Sequence, residues 1–219
     1  MTATLVRSSP RAADAASSRL LLLPDGTSAQ LDGPLQPGVP LVLLLHGFRG
    51  GMTSMTASRT GRTSWRDALL AAGFSTLSYS QVAPEGTLAP NLDQLLAIAA
   101  GPLSRDPRLR RLPLSIVAHS RGGLLARLLL DRVANARASR RLLHRMAGVV
   151  TLHTPYGGSG LAGLVIGMDR AARRLEAAVS SLGLRPPVLA TLRSISASRA
   201  VAELAPGSTA QELLDCARW

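Results

Sequence analysis

The segment Leu41-Val-Leu-Leu-Leu45 is apolar at every position, and a Gly-rich stretch, His46–Gly51, follows it at once. A half-buried strand alternates apolar and polar residues, whereas a strand apolar throughout must be covered on both faces. Two further short runs behave alike: Leu114–Ala118 opens onto a Ser/Gly turn, and Val149–His153 onto Thr154-Pro155 and Gly157-Gly158. Between them lie Ser64–Ala72, Asn91–Ala100 and Leu124–Val133, with apolar residues at helical steps, and the strand-like Phe74–Ser80, which Pro84 ends. This alternation predicts an α/β fold, a mainly parallel sheet with helices on both faces. Leu20–Leu23 and Thr27–Leu31, joined by Pro24-Asp25-Gly26, predict a hairpin ahead of it.

A chain of 219 residues, 46% hydrophobic, can bury a full core. The reading is a single domain over residues 19–219, behind an Ala/Ser-rich mobile leader at 1–18. Only four leucines, Leu20–Leu23, follow Arg7 and Arg11, too few for a secretory signal, and no apolar run is of membrane-spanning length; a cytoplasmic protein is expected. One Cys excludes a disulfide framework. The net charge is +12, and every basic residue is Arg. The densest basic stretch, Arg132–Arg145, has no interleaved aromatics, so it reads as a solvated helix face, and no nucleic acid partner is expected.

The chemistry concentrates at Leu114-Ser-Ile-Val-Ala-His-Ser-Arg-Gly-Gly123. The pattern runs strand, sharp turn, helix, with Ser120 at the turn and small residues (Ala118, Gly122, Gly123) flanking it. Such a turn strains the serine backbone, lifts its hydroxyl off the sheet and leaves no room for bulk at those offsets. It also sets Ser120 at a helix N-terminus, where free N–H groups favour a developing oxyanion. The second Gly junction, His46–Gly51, allows the backbone at Gly47 and Gly50 to approach a ligand closely. A phosphate-cradling loop would need a Lys, which the chain lacks, and neither junction has the three-glycine spacing of a dinucleotide site. The four histidines show no HxH or HxxxH spacing, so no metal and no cofactor are expected.

The pair His46-Gly-Phe-Arg-Gly50 and Ala118-His-Ser-Arg-Gly122 resembles the α/β-hydrolase superfamily. Thr151-Leu-His-Thr-Pro-Tyr-Gly-Gly-Ser159 resembles the Thr-Pro-His-x-Gly-Ser stretch of its lipase-like branch (bacterial triacylglycerol lipases and inositol deacylases), with Tyr156 in place of the usual His. Glu203-Leu-Ala-Pro-Gly-Ser208 is similar to the Leu-x-Pro-Gly-Ser segment of the same branch. The resemblance spans roughly residues 38–210. It implies a serine hydrolase of carboxylic esters, lipase or esterase in type, acting on a small-molecule ester or lipid through an acyl-enzyme on Ser120. It further implies oxyanion donors at the Phe48 and Arg121 amides, supported by His46, Gly47 and Gly122. Residues 160–200, whose apolar positions recur at helical steps to Leu182, would form a lid-like helical insertion.

The chain departs from that pattern after Ser120. The triad order is Ser, then Asp or Glu, then His. Only His144 and His153 follow Ser120, and Asp169 and Asp215, the aspartates later than these, fall on helical patterns. Three readings compete: a C-terminally incomplete hydrolase, a non-catalytic relative that binds a small apolar ligand or a partner, or a base from an unexpected place, for which His153 is the candidate. An arginine-rich module docking on anionic surfaces is a further alternative.

Overall fold

The computed structural model describes residues 19–22, 28–58, 61–136, 140–160, 162, 195 and 198–205. In chain order these form β1 (Arg19–Leu22), β2 (Ser28–Asp32), β3 (Leu41–Leu45), α1 (Thr53–Thr56), α2 (Trp65–Ala71), β4 (Ser75–Tyr79), α3 (Leu88–Ala100), α4 (Pro102–Arg105), β5 (Leu114–His119), α5 (Arg121–Asn135), α6 (Arg140–Leu143), β6 (Met146–Leu152) and α7 (Arg199–Leu204). The six strands make one sheet in the order β1-β2-β4-β3-β5-β6. The pairs β1–β2 and β2–β4 are antiparallel; β3–β4, β3–β5 and β5–β6 are parallel.

The apolar run of β3 is explained by its place. All five residues are at most 3% exposed. Leu41, Leu43 and Leu45 face the main core with α3 and α5, through Leu92, Leu95, Ile98, Leu124, Leu125 and Leu129. Val42 and Leu44 face the other layer with Met55, Leu69 and Phe74. Truncating one such leucine to Ala costs about 2–5 kcal/mol in cores of this kind. Helix α2 begins where Ser64 accepts from the Asp67 N–H at 3.0 Å, an N-cap that explains why the helix starts one residue after Ser64.

The sheet places a site by its topology. From β3 the chain runs to β4 on one side, then crosses to β5 on the other. The carboxyl ends of β3 and β5 therefore adjoin at a topological switch point, where the crevice of an open α/β sheet lies. Both Gly junctions of the sequence sit there. Strand β6 is paired on its β5 side only among the described residues, and its Val150 is 54% exposed.

Several sequence expectations fall outside the described residues: the 1–18 leader, the Asp25-Gly26 turn, Asp169, Asp215, Cys216 and most of the 160–200 insertion. Arg145 corrects the reading of Arg132–Arg145 as a wholly solvated face. Arg132 and Arg141 are exposed, but the Arg145 guanidinium donates to the carbonyls of Leu112, Leu103 and Leu109 at 2.9, 2.7 and 2.7 Å. It ties the turn before β5 to the start of β6, and burial holds its pKa below the usual arginine range.

Candidate active site

Ser120 stands between β5 and α5 with φ 53° and ψ −126°. A side-chain-bearing residue seldom adopts this conformation. The surroundings impose it. The Ser120 N–H donates to Leu152 O at 2.8 Å, and the Gly123 N–H donates back to Ser120 O at 2.9 Å. Helix α5 enters so close to β3 that a Cβ on Gly122 would lie 2.5 Å from Leu45 O and 2.7 Å from His46 O. A Cβ on Gly123 would overlap Thr154 Oγ1. The first turn of α5 is thus wedged between β3 and the turn after β6. Ser120 remains half-buried, and His119 is exposed.

The His46–Gly51 loop closes over the serine. A Cβ placed on Gly47 would stand 2.9 Å from Ser120 Cβ and 3.2 Å from His119 Nδ1. His46 is fully buried. Its Nε2 accepts the Gln81 N–H at 3.0 Å, which leaves the proton on Nδ1, 2.9 Å from Gly47 O. Burial is the main cause that lowers the His46 pKa, with the Arg121 charge adding to it, so the ring is neutral. The Met52 N–H donates to Ser80 Oγ at 2.9 Å and the Gly50 N–H to Gly47 O at 3.2 Å. Among the described residues, no hydrogen bond takes up the Phe48 or Arg121 N–H.

Beneath this loop lies a buried cation. The Arg121 side chain is wholly inaccessible. Its Nη1 donates to Gln81 Oε1 at 3.0 Å, and its Nη2 to Gly86 O and, at 3.4 Å, to Glu203 Oε2. Burial pushes the Arg121 pKa down and the Glu203 pKa up, and the attraction between them opposes both shifts. Tyr79, 1% exposed, lies with its ring 6.5 Å from that of His46, and burial raises its phenol pKa.

The remaining histidines separate cleanly. His144 is exposed in the turn before β6, at the opposite end of the sheet from Ser120. His153 follows β6 with φ 53° and is exposed. His119 pairs in register with Leu152, so Ser120 and His153 come next on adjoining strand ends. The His119 and His153 rings lie edge to face at 6.2 Å. Strand alternation puts His119 on the face away from Ser120 as a packed neighbour; instead it is exposed beside Gly47 and His153. The burial alternation of β5 runs on through His119, which falls on the same less-buried face as Ser115 and Val117. Tyr156 is half-buried against the core, with the Arg127 guanidinium 5.9 Å from its ring centroid.

Gln81 and Glu203 carry no local signal that marks them. Glu203 heads the Glu-Leu-Ala-Pro-Gly-Ser segment, but its partner lies 82 residues away. Among the described residues no cluster could hold a metal ion, and no helix is long and apolar enough to cross a membrane.

No family model matches the chain, and no curated protein sequence does. Solved structures do match. The mature form of the Bacillus licheniformis lipase BlEst2 superposes with a TM-score of 0.57 at 17% identity, over 86% of this chain and 64% of that one. An esterase of Pyrococcus furiosus gives 0.51 at 13% identity, covering 84% and 62%. The haloalkane dehalogenase DatA of Agrobacterium tumefaciens gives 0.50 at 13%, covering 94% and 76%. The chain thus spans just under two thirds of the length of the lipase and the esterase, and the likeness is one of fold.

Proposed function

We propose that this chain, which has the α/β-hydrolase fold, is a serine hydrolase that cleaves a carboxylic ester through Ser120. The observation that carries the reading is the serine backbone, held at φ 53° and ψ −126° on the crevice side of the sheet, with the Phe48 and Arg121 amides on the flanking segments unpaired among the described residues. Strain of this kind persists only where the surroundings over-determine it, and it concentrates at reacting groups.

In the proposed reaction Ser120 Oγ attacks the ester carbonyl carbon and loses its proton to a base. The carbonyl oxygen becomes an oxyanion, stabilised by the Phe48 and Arg121 N–H groups. Removing one such donor typically costs about 10²–10³ in rate. Collapse expels the alcohol, which takes the proton, and leaves an acyl-enzyme that water then hydrolyses. His153 is the base in this reading, because it is the imidazole after Ser120 that the sheet register brings to the same edge. The substrate is a small-molecule ester or lipid, and no cofactor is needed.

A second reading has its own observation. Among the described residues no carboxylate bonds to His119 or His153, so a relative that keeps the fold and binds a small apolar ligand or a partner without turnover is the rival. A fluorophosphonate probe decides between them. Wild type is expected to be labelled and to hydrolyse a short-chain nitrophenyl ester, Ser120→Ala to do neither, and His153→Ala to lose at least ten-fold in labelling rate. An unlabelled, inactive wild type would refute hydrolysis by this chain and favour the binding reading.

A further inference from the structure

The Arg121 amide has a place in the reaction proposed above; its side chain does something separate. Every bond around that guanidinium has its direction fixed. Arginine can only donate. Gln81 therefore turns Oε1 toward Arg121 Nη1 at 3.0 Å, and its Nε2 donates to the His46 carbonyl at 2.6 Å. The Gln81 backbone N–H also can only donate, so His46 Nε2 accepts it and His46 Nδ1–H points to Gly47 O. An unbroken set of bonds thus runs from the first residue of α5 to the residue before Phe48. On its other side, Arg121 Nη2 reaches Gly86 O and Glu203, and Glu203 Oε2 accepts the Leu88 N–H at 2.8 Å.

The segment after β4 is the hub. Glu85 O accepts from the Ala200 N–H at 3.0 Å and from Ser198 Oγ at 2.7 Å, which docks α7. Its carboxylate meets Arg49 Nε, from the loop over the serine, at 2.9 Å. That last pair is exposed, so solvent screens it. The buried relay is different, since loss of the Gln81 amide leaves the His46 carbonyl without its donor and Arg121 Nη1 with only the longer contacts to Ala83 O and Pro84 O at 3.5 and 3.4 Å.

We propose that the Arg121 guanidinium and Gln81 are positioning residues that hold the two halves of the oxyanion site in register, the Arg121 amide through α5 and the Phe48 amide through Gln81 and His46. The proposal rests on the reading of Ser120 as a nucleophile. A merely structural role would need only that the buried cation be neutralised, and one substitution separates the two ideas. Gln81→Glu gives Arg121 a carboxylate but sets an acceptor against the His46 carbonyl, so it strengthens the cation side and breaks the loop side. Gln81→Met breaks both.

The test uses the full chain and two readouts. One is the rate of fluorophosphonate labelling of Ser120 per folded molecule; the other is hydrogen exchange at the Gly50 and Met52 amides, which needs no activity. Both variants should lower the labelling rate at least ten-fold. Both should speed exchange at Gly50 and Met52 at least ten-fold, while the β3 and β5 amides keep their protection. If Gln81→Met does not fold, Gln81→Glu carries the test alone. A Gln81→Glu variant with wild-type exchange in the loop overturns the proposal, whatever its labelling. A wild type that is never labelled refutes the nucleophile reading by itself, and the exchange rates then decide whether the relay holds the loop.

Discussion

Replacing Ser120 by Gly should make the protein more stable than replacing it by Ala. At φ 53° and ψ −126° a Cβ is strained and glycine is not. Residues held in sparsely populated backbone regions cost about 1–3 kcal/mol. Ser120→Ala removes the hydroxyl but keeps the Cβ, so it keeps the strain. Ser120→Gly releases it, against about 0.5–1 kcal/mol for the freer unfolded chain. Taken at their midpoints, these leave glycine ahead by about 1 kcal/mol, or roughly 2–4 °C in melting temperature for a chain of this size. Circular dichroism melts of the two variants, read beside a labelling assay in which both are silent, give the measurement. A Gly variant that melts at or below the Ala variant would refute the idea that the turn stores strain, and with it the physical ground for treating Ser120 as special.

Gly123→Ala should destabilise by about 1–3 kcal/mol, because its Cβ overlaps Thr154 and the turn after β6 must move; chemical denaturation checks this, and a neutral result would mean the wedge is slack. Arg145→Lys should cost about 2–3 kcal/mol, since one ammonium cannot reach three carbonyls held by a fork; an unchanged denaturation midpoint would count against the pin. His46 has a folded pKa below its ordinary 6.5, so the unfolded chain binds a proton that the folded one does not, and stability falls as pH drops below about 6.5. Glu203, raised by burial, works the other way, losing stability as pH rises above its ordinary value of 4.5. His46→Gln should therefore flatten the wild-type slope between about pH 5 and 6.5, and an unchanged slope would show that the ring is not buried neutral.

What was legible in the sequence follows from where the constraint is local. Leu41–Leu45 reads as a two-sided strand because both helical layers press on it, and that pressure leaves no polar position. The turn at Ser120 reads because its steric demands fall within three residues, on Ala118, Gly122 and Gly123. Helix boundaries came less clean: α3 begins at Leu88, ahead of Asn91, because Pro90 in a first turn needs no donor. The short helices α4 and α7 carry too few turns for any periodicity to mark them. The His119–His153 contact has no sequence signal because it is set by strand register, which no spacing in the chain encodes.

The lysine-free composition has two layers of meaning, and the structure separates them. At exposed positions such as Arg105, Arg110 and Arg132 either cation would serve, and a composition rich in Ala, Leu, Gly and Arg is explanation enough. Arg121 and Arg145 are different, because each meets several oxygens at once from a partly or wholly buried position. A planar fork with five donors satisfies such a ring of acceptors, and a point charge on a flexible stem does not. Charge counting alone pointed to a solvated face or an anionic partner. In Arg121 the same charge is turned inward, and it orients an amide, a neutral imidazole and a helix around one strained serine.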